Sequence, residues 1–155
     1  MLIKHVLRTF LELLYPSKSR CQLCGTPGSL TVCERCMSAV EFLEGVTCFN
    51  CAKNLSESYH ERLCPDCRNR SFHYDRAFSC FEYKGVGKEL IYSFKYEGRT
   101  AIAEVLAELM ADRLKNENLQ VDAVVPVPIH PNKLTTRGFN QSLLIAEALG
   151  ERMKI

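Results

Sequence analysis

The stretch CQLCGTPGSLTVCERCMSAVEFLEGVTCFNCAKNLSESYHERLCPDC (residues 21–67) decides how the front of this chain folds. It holds four CxxC pairs, Cys21/Cys24, Cys33/Cys36, Cys48/Cys51 and Cys64/Cys67, eight of the nine cysteines. Two thiolates separated by two residues turn onto one ion through a tight knuckle, and two knuckles complete a tetrahedral S4 site. Eight cysteines therefore supply two closed sites, and two structural Zn²⁺ ions are expected. The same ligands suit an iron–sulfur centre, which stays open as the other metal reading. A disulfide framework needs an oxidising compartment, and a redox CxxC would stand alone beside a βαβ pattern.

Pairing has two solutions. Taken in order, the pairs read CxxC-x8-CxxC and then CxxC-x12-CxxC, two consecutive ribbons. A cross-braced arrangement would join the first pair to the third and the second to the fourth. Sequential closure makes shorter loops at lower chain entropy, so it is the expected solution.

Nothing supports export. Residues 1–15 (MLIKHVLRTFLELLY) are interrupted by Lys4, Arg8 and Glu12, and no small-residue cleavage site follows. Neither a signal peptide nor a membrane span is expected, and the cytoplasm is the expected location. The 46% apolar and 25% charged content is that of a globular protein. The formal charge of +2 counts cysteines as neutral. With eight thiolates and two Zn²⁺ the loaded chain falls to about −2. A basic stripe of the kind that drives nonspecific DNA binding is not visible.

Three units follow from these patterns: an amphipathic helix in residues 1–17, a double zinc ribbon in 18–70 and an α/β unit in 71–155. Leu2, Ile3, Val6, Leu7, Phe10, Leu11 and Leu14 recur at helical spacing before Pro16. In the last unit, residues 76–83 read as a strand. Residues 87–96 read as a helix with Leu90, Ile91 and Phe94 on one face. Residues 100–114 form the clearest helix, with Thr100 as its cap. Val121 to Val125 suit a strand buried on both faces, ending at Pro126 and Pro128. A basic loop (Lys133, Arg137, Gly138) then leads to a last helix over 139–152. This order is that of a parallel sheet, and the expected sheet lacks the strand that the last helix should reach. The chain is accordingly expected to be an incomplete α/β domain, a fragment or a truncated product; a reduced sheet in which 76–83 and another segment pair with 121–125 is the alternative.

Motif order adds a family resemblance. CQLCG at 21–25, the further CxxC pairs, FKYEGR at 94–99 and VVPVPIHPNKLTTRGFNQS at 124–142 resemble the ComF family of competence-associated proteins. The resemblance implies a zinc ribbon ahead of a type I phosphoribosyltransferase-like, Rossmann-like domain. It implies that Arg137, Gly138, Asn140 and Gln141 line the pyrophosphate side of a PRPP site, with Lys95 and Arg99 approaching the same cleft. Family members continue into an acidic Thr/Gly-rich loop, absent from residues 1–155, so Mg²⁺ with PRPP is expected only in a complete protein. From the residues alone, Gly138 allows close backbone approach, the helix that follows offers free N–H groups, and Arg137 is a bidentate phosphate donor. The competing reading makes Arg137 a solvated loop residue, Asn140 a helix cap and Gln141 a surface position.

The minor features carry less. His130 is a loop histidine, Cys80 a buried inert thiol, and Phe42, Phe49 and Tyr59 either pack the knuckles or form a partner surface. The expected function is that of a ComF-type competence protein in DNA uptake, non-catalytic as this chain, whose partners are single-stranded DNA or proteins of the uptake machinery. A Mg-PRPP-dependent phosphoribosyltransferase and a zinc-stapled interaction module are the alternatives.

Overall fold

A computed structural model describes residues 20–29 and 31–155. The helix expected in residues 2–14, with the whole unit 1–17, lies outside the described residues.

The two ribbons are built from one plan used twice. In each, the first knuckle is closed by an N–H onto the carbonyl of its leading cysteine: Gly25 to Cys21 and Ala52 to Cys48, both at 2.9 Å. Each is flanked by one antiparallel bridge, Arg20–Pro27 and Thr47–Asn54. The second knuckle of each begins a single helical turn, α1 (Glu34–Ser38) after Cys33 and α2 (Pro65–Arg68) after Cys64. Pro65 suits the first position of α2, where its missing N–H costs nothing. The knuckle turn needs a positive φ, +72° at Gly25 and +58° at Ala52.

Residues 41–43 leave the first ribbon and touch residues 80–82. Leu43 N–H donates to the Cys80 carbonyl (3.1 Å) and Glu82 N–H to that of Glu41 (2.9 Å). The strand expected over 76–83 reduces to this single bridge, Phe42–Phe81, because it has one short partner and no second neighbour.

Helix α3 (Gly85–Tyr96) follows. It buries Leu90 and Phe94 completely, each contributing about 1.5–3 kcal/mol. Helix α4 (Ile102–Asn116) starts two residues later than expected. Thr100 does not cap it; Ala101 occupies the cap position, without a side-chain hydrogen bond. Ile102, Ala103 and Leu106 meet Leu90 and Phe94 in the main core. Leu23 and Val32 of the first ribbon pack against the same cluster. This places the first metal knuckle directly on the helical half.

Gly87 is required by close approach. A Cβ there would lie 2.8 Å from both the Glu82 carbonyl oxygen and the Phe81 ring, and backbone cannot yield as a flexible side chain can. Gly87→Ala is expected to lower stability by about 1–3 kcal/mol. Urea unfolding followed by circular dichroism checks this, and an unchanged midpoint would contradict it.

The segment expected as a basic loop is instead a helix, α5 (Pro131–Arg137). Pro131 presets its first turn, His130 Nδ1 accepts the Asn132 N–H at 3.3 Å, and Gly138 at φ +80° closes the end. Helix α6 (Gln141–Met153) then packs along α4, where Ala107, Ala148 and Leu149 let the two axes come close.

Val121 to Val125 do not form a strand. Val124 packs against the α4–α6 cluster, but Val125 and Val127 are 83% and 72% exposed. An extended segment becomes a strand only when a neighbour takes its N–H and C=O groups, and among the described residues none runs alongside it. Neither the doubly covered strand nor the reduced sheet is therefore present. The described residues are helical and irregular with three isolated bridges, and an α/β Rossmann-like sheet is not shown.

Candidate metal centres and the loop beside them

The sulfur atoms gather as two sets of four, Cys21/Cys24/Cys33/Cys36 and Cys48/Cys51/Cys64/Cys67, each set lying within 4.8 Å. This is the sequential pairing. Cys21–Cys36, Cys24–Cys33 and Cys51–Cys64 are 3.8, 3.6 and 3.8 Å apart at sulfur. A tetrahedron with Zn–S arms of about 2.3 Å has edges of about 3.8 Å. Both tetrads are compatible with structural zinc in size and in donor type. One N–H also serves each leading sulfur: Cys33 donates to Cys21 and Cys64 to Cys48, both at 3.3 Å.

Electrostatics makes each tetrad a host for a cation. In the first, the Thr26 hydroxyl and N–H pull the Cys24 thiol down to about 5, with Arg35 adding to the effect. Burial and the neighbouring sulfurs push Cys36 up to about 12. In the second, burial opposes ionisation of Cys48, yet N–H groups of Cys64, Cys51 and Asn50 outweigh it and hold the thiol at about 6. Cys67 is pushed up to about 12 by burial and its three companions. One thiolate forms readily in each site and the fourth resists, because four crowded negative charges need a divalent cation among them. Arg35 beside the first tetrad offsets part of the charge of −2 left on a Zn(Cys)4 centre, whereas Lys53 beside the second is held chiefly by Asp66 at 3.0 Å.

The surroundings differ. The second tetrad is wrapped by Leu55, Leu63 and Phe72, whereas in the first Cys24 is exposed. Phe49, between Cys48 and Cys51, lies under the Arg62 and Arg76 guanidinium groups at 4.6 and 4.9 Å. Arg76 also pairs with Glu117 at the end of α4 (2.8 Å), tying the second ribbon to the helical half. Tyr59 donates to the Leu63 carbonyl (2.9 Å). Phe49 and Tyr59 thus pack the knuckles, while Phe42, bridged to Phe81, stays 41% exposed. Cys80 is half-buried and its thiol is pushed up by desolvation, as expected of an inert cysteine.

The residues expected around a phosphate meet in part. Phe94 packs on Phe139 with ring centroids 5.9 Å apart, and the Arg137 guanidinium lies 5.0 Å over the Tyr96 ring. The FKYEGR and RGFNQ stretches are therefore neighbours. Arg137 donates to Gln141 Oε1 (2.9 Å). Gln141 is 8% exposed rather than on the surface, and its Nε2 has no partner among the described residues. Asn140 is a helix cap: its Oδ1 accepts the Ser142 N–H at 3.1 Å. Gly138 supplies the left-handed turn between α5 and α6. Arg99 sits apart, paired with Glu97 at 3.0 Å in a groove shared with Leu23, Lys88 and Tyr92. Lys95 is half-buried and has no ion-pair partner among the described residues. Sequence reading passed over Tyr92 and Tyr96, although their spacing of four on a helix was a legible signal.

Residues 10–71 match the double zinc ribbon domain family, and the front of the chain is a double zinc ribbon. Across 137 residues, 83% of the chain, the sequence is 28% identical to the DNA utilization protein YhgH of Salmonella typhimurium strain LT2. The chain spans 59% of the length of that curated relative. No solved structure matches. No helix among the described residues is long and apolar enough to cross a membrane.

Proposed function

We propose that this is a ComF-like protein that handles DNA during its uptake or use, with the double ribbon as a rigid platform and the α3–α6 region as its working half. The observation that carries this reading is the likeness to a protein named for DNA utilization, which runs through 83% of the chain and so includes more than the ribbons. The cytoplasm is the fitting place for such work, since free thiolates for zinc need a reducing compartment. Deleting the gene in its host should abolish use or uptake of external DNA while ordinary growth continues. Unimpaired DNA use in the deletion strain would overturn the reading.

The FKYEGR and RGFNQ motifs, brought side by side, support a second reading as a phosphoribosyltransferase relative. On that reading Arg137, Gly138, Asn140 and Gln141 face the pyrophosphate, with Lys95 and Arg99 at the rim and Mg²⁺ as the carrier of PRPP. The observed contacts oppose tight binding by this chain. Arg137 is engaged by Tyr96 and Gln141, and a phosphate has to displace the second of these. Isothermal titration with Mg-PRPP is expected to give no micromolar binding; a micromolar Kd would establish the phosphate site.

A further inference from the structure

Tyr92 and Tyr96 stand on successive turns of α3 with their rings 5.1 Å apart, and they are 51% and 61% exposed. The pair presents two adjoining aromatic rings to solvent on one face of α3. The Arg137 guanidinium lies 5.0 Å over the Tyr96 ring, so three planar groups adjoin, the two rings tilted by 44° to each other. Around it the charge is one-sided. Residues 84–99 and 130–138 carry Lys84, Lys88, Lys95, Arg99, Lys133 and Arg137 against Glu89 and Glu97. Lys84 and Arg99 are held in ion pairs, which leaves Lys88, Lys95 and Lys133 without acidic partners among the described residues. By contrast α4 and α6 carry Glu104, Glu108, Asp112, Glu147 and Glu151 against Arg113, Lys115 and Arg152, and Arg152 pairs with Glu104 and Glu108. The near-neutral whole-chain charge thus hides a local separation.

We infer that the Tyr92–Tyr96–Arg137 row is a stacking platform for single-stranded nucleic acid, with Lys88 and Lys95 placed for the backbone. This rests on the DNA-handling reading and names the surface that does it. Unpaired bases stack on exposed aromatic rings and guanidinium planes while cations follow the phosphates. A duplex keeps its bases stacked inside and offers only phosphate, so it gains nothing from the rings. The groove beside the row, lined by Leu23, Lys88, Tyr92 and Arg99 together with Glu89 and Glu97, has a volume of about 480 Å³, and Lys88 is the cation in it that no carboxylate among the described residues pairs. That is room for a nucleotide.

The test uses the zinc-loaded chain and fluorescein-labelled dT20, read by anisotropy at low salt. Tyr92→Ala/Tyr96→Ala is expected to weaken binding at least ten-fold, since each stacked base contributes about 1–3 kcal/mol. Tyr92→Phe/Tyr96→Phe should restore it, because a phenyl ring stacks equally well. A 20-base-pair duplex should bind more weakly than dT20 and be indifferent to both variants. The rings are exposed, so the variants should fold, with zinc content and circular dichroism as the controls. Unchanged dT20 affinity in the double alanine variant, or tighter duplex binding, would overturn the platform and leave the DNA-handling reading standing. No dT20 binding by the parent protein would overturn both direct DNA contact and the platform.

Discussion

Cys64→Ser is expected to yield a protein with one zinc ion instead of two, in which residues 46–72 are rapidly cut by protease while the α3–α6 half resists. Cys64 is fully buried at the centre of the second tetrad, where its N–H also supports Cys48. Around the sulfurs this ribbon offers few apolar side chains, Leu55, Leu63 and Phe72, with Phe49 and Tyr59 at its knuckles. At about 1.5–3 kcal/mol each, these cannot offset the entropy of ordering its backbone, about 1–2 kcal/mol per residue. The metal has to supply the difference, and structural zinc sites provide about 10–16 kcal/mol of apparent binding energy. The helical half keeps its own core of Leu90, Phe94, Ile102 and Leu106. Metal analysis with limited proteolysis checks the outcome, and two retained zinc ions with an intact second ribbon would refute it.

Acidification is expected to release zinc in two steps, the first tetrad before the second. Zinc holds thiolates that a metal-free tetrad would keep partly protonated: Cys36 and Cys67 stand at about 12 without it. Loading near pH 7.5 must expel at least the proton of Cys36 from one site and that of Cys67 from the other. Metal binding thus depresses these thiols far below their ordinary range. The stability it confers is present at neutral pH and above and is lost as pH falls and protons compete for sulfur. The order comes from access. Hydronium and chelators reach Cys24 directly, but in the second tetrad Cys48, Cys64 and Cys67 are all buried. A chromogenic zinc chelator at pH 6 should show a fast and a slow phase of equal amplitude, and Cys24→Ser should remove only the fast one. A single phase in the parent protein would contradict the inequality of the sites.

The tetrads were legible because ligand chemistry is local: spacing within each CxxC sets the knuckle, and short loops favour closing consecutive pairs. Helices α3, α4 and α6 were legible from the same kind of local signal, apolar residues recurring on one face. The strands were misread for a physical reason. Val121 to Val125 have the composition of a buried strand, but a strand is defined by a neighbour, and periodicity says nothing about whether one is present. The basic segment 131–137 was misread because charge suggested a loop, while Pro131, the His130 cap and Gly138 specified a short helix. Gln141, a phosphate contact by the family resemblance and a surface position on the competing reading, instead turns inward to accept from Arg137.

By itself the sequence determined eight ligands for two S4 centres and the three long helices, and it favoured the sequential pairing that the structure then selected, all through contacts between residues close along the chain. Only the tertiary structure decided that the first knuckle leans on the helical core through Leu23 and Val32, and that one tetrad is open and the other enclosed. It alone brought Arg137 over Tyr96 across forty residues of chain. Those outcomes depend on which surfaces exclude water from each other, and that is a property of distant partners meeting rather than of any one segment.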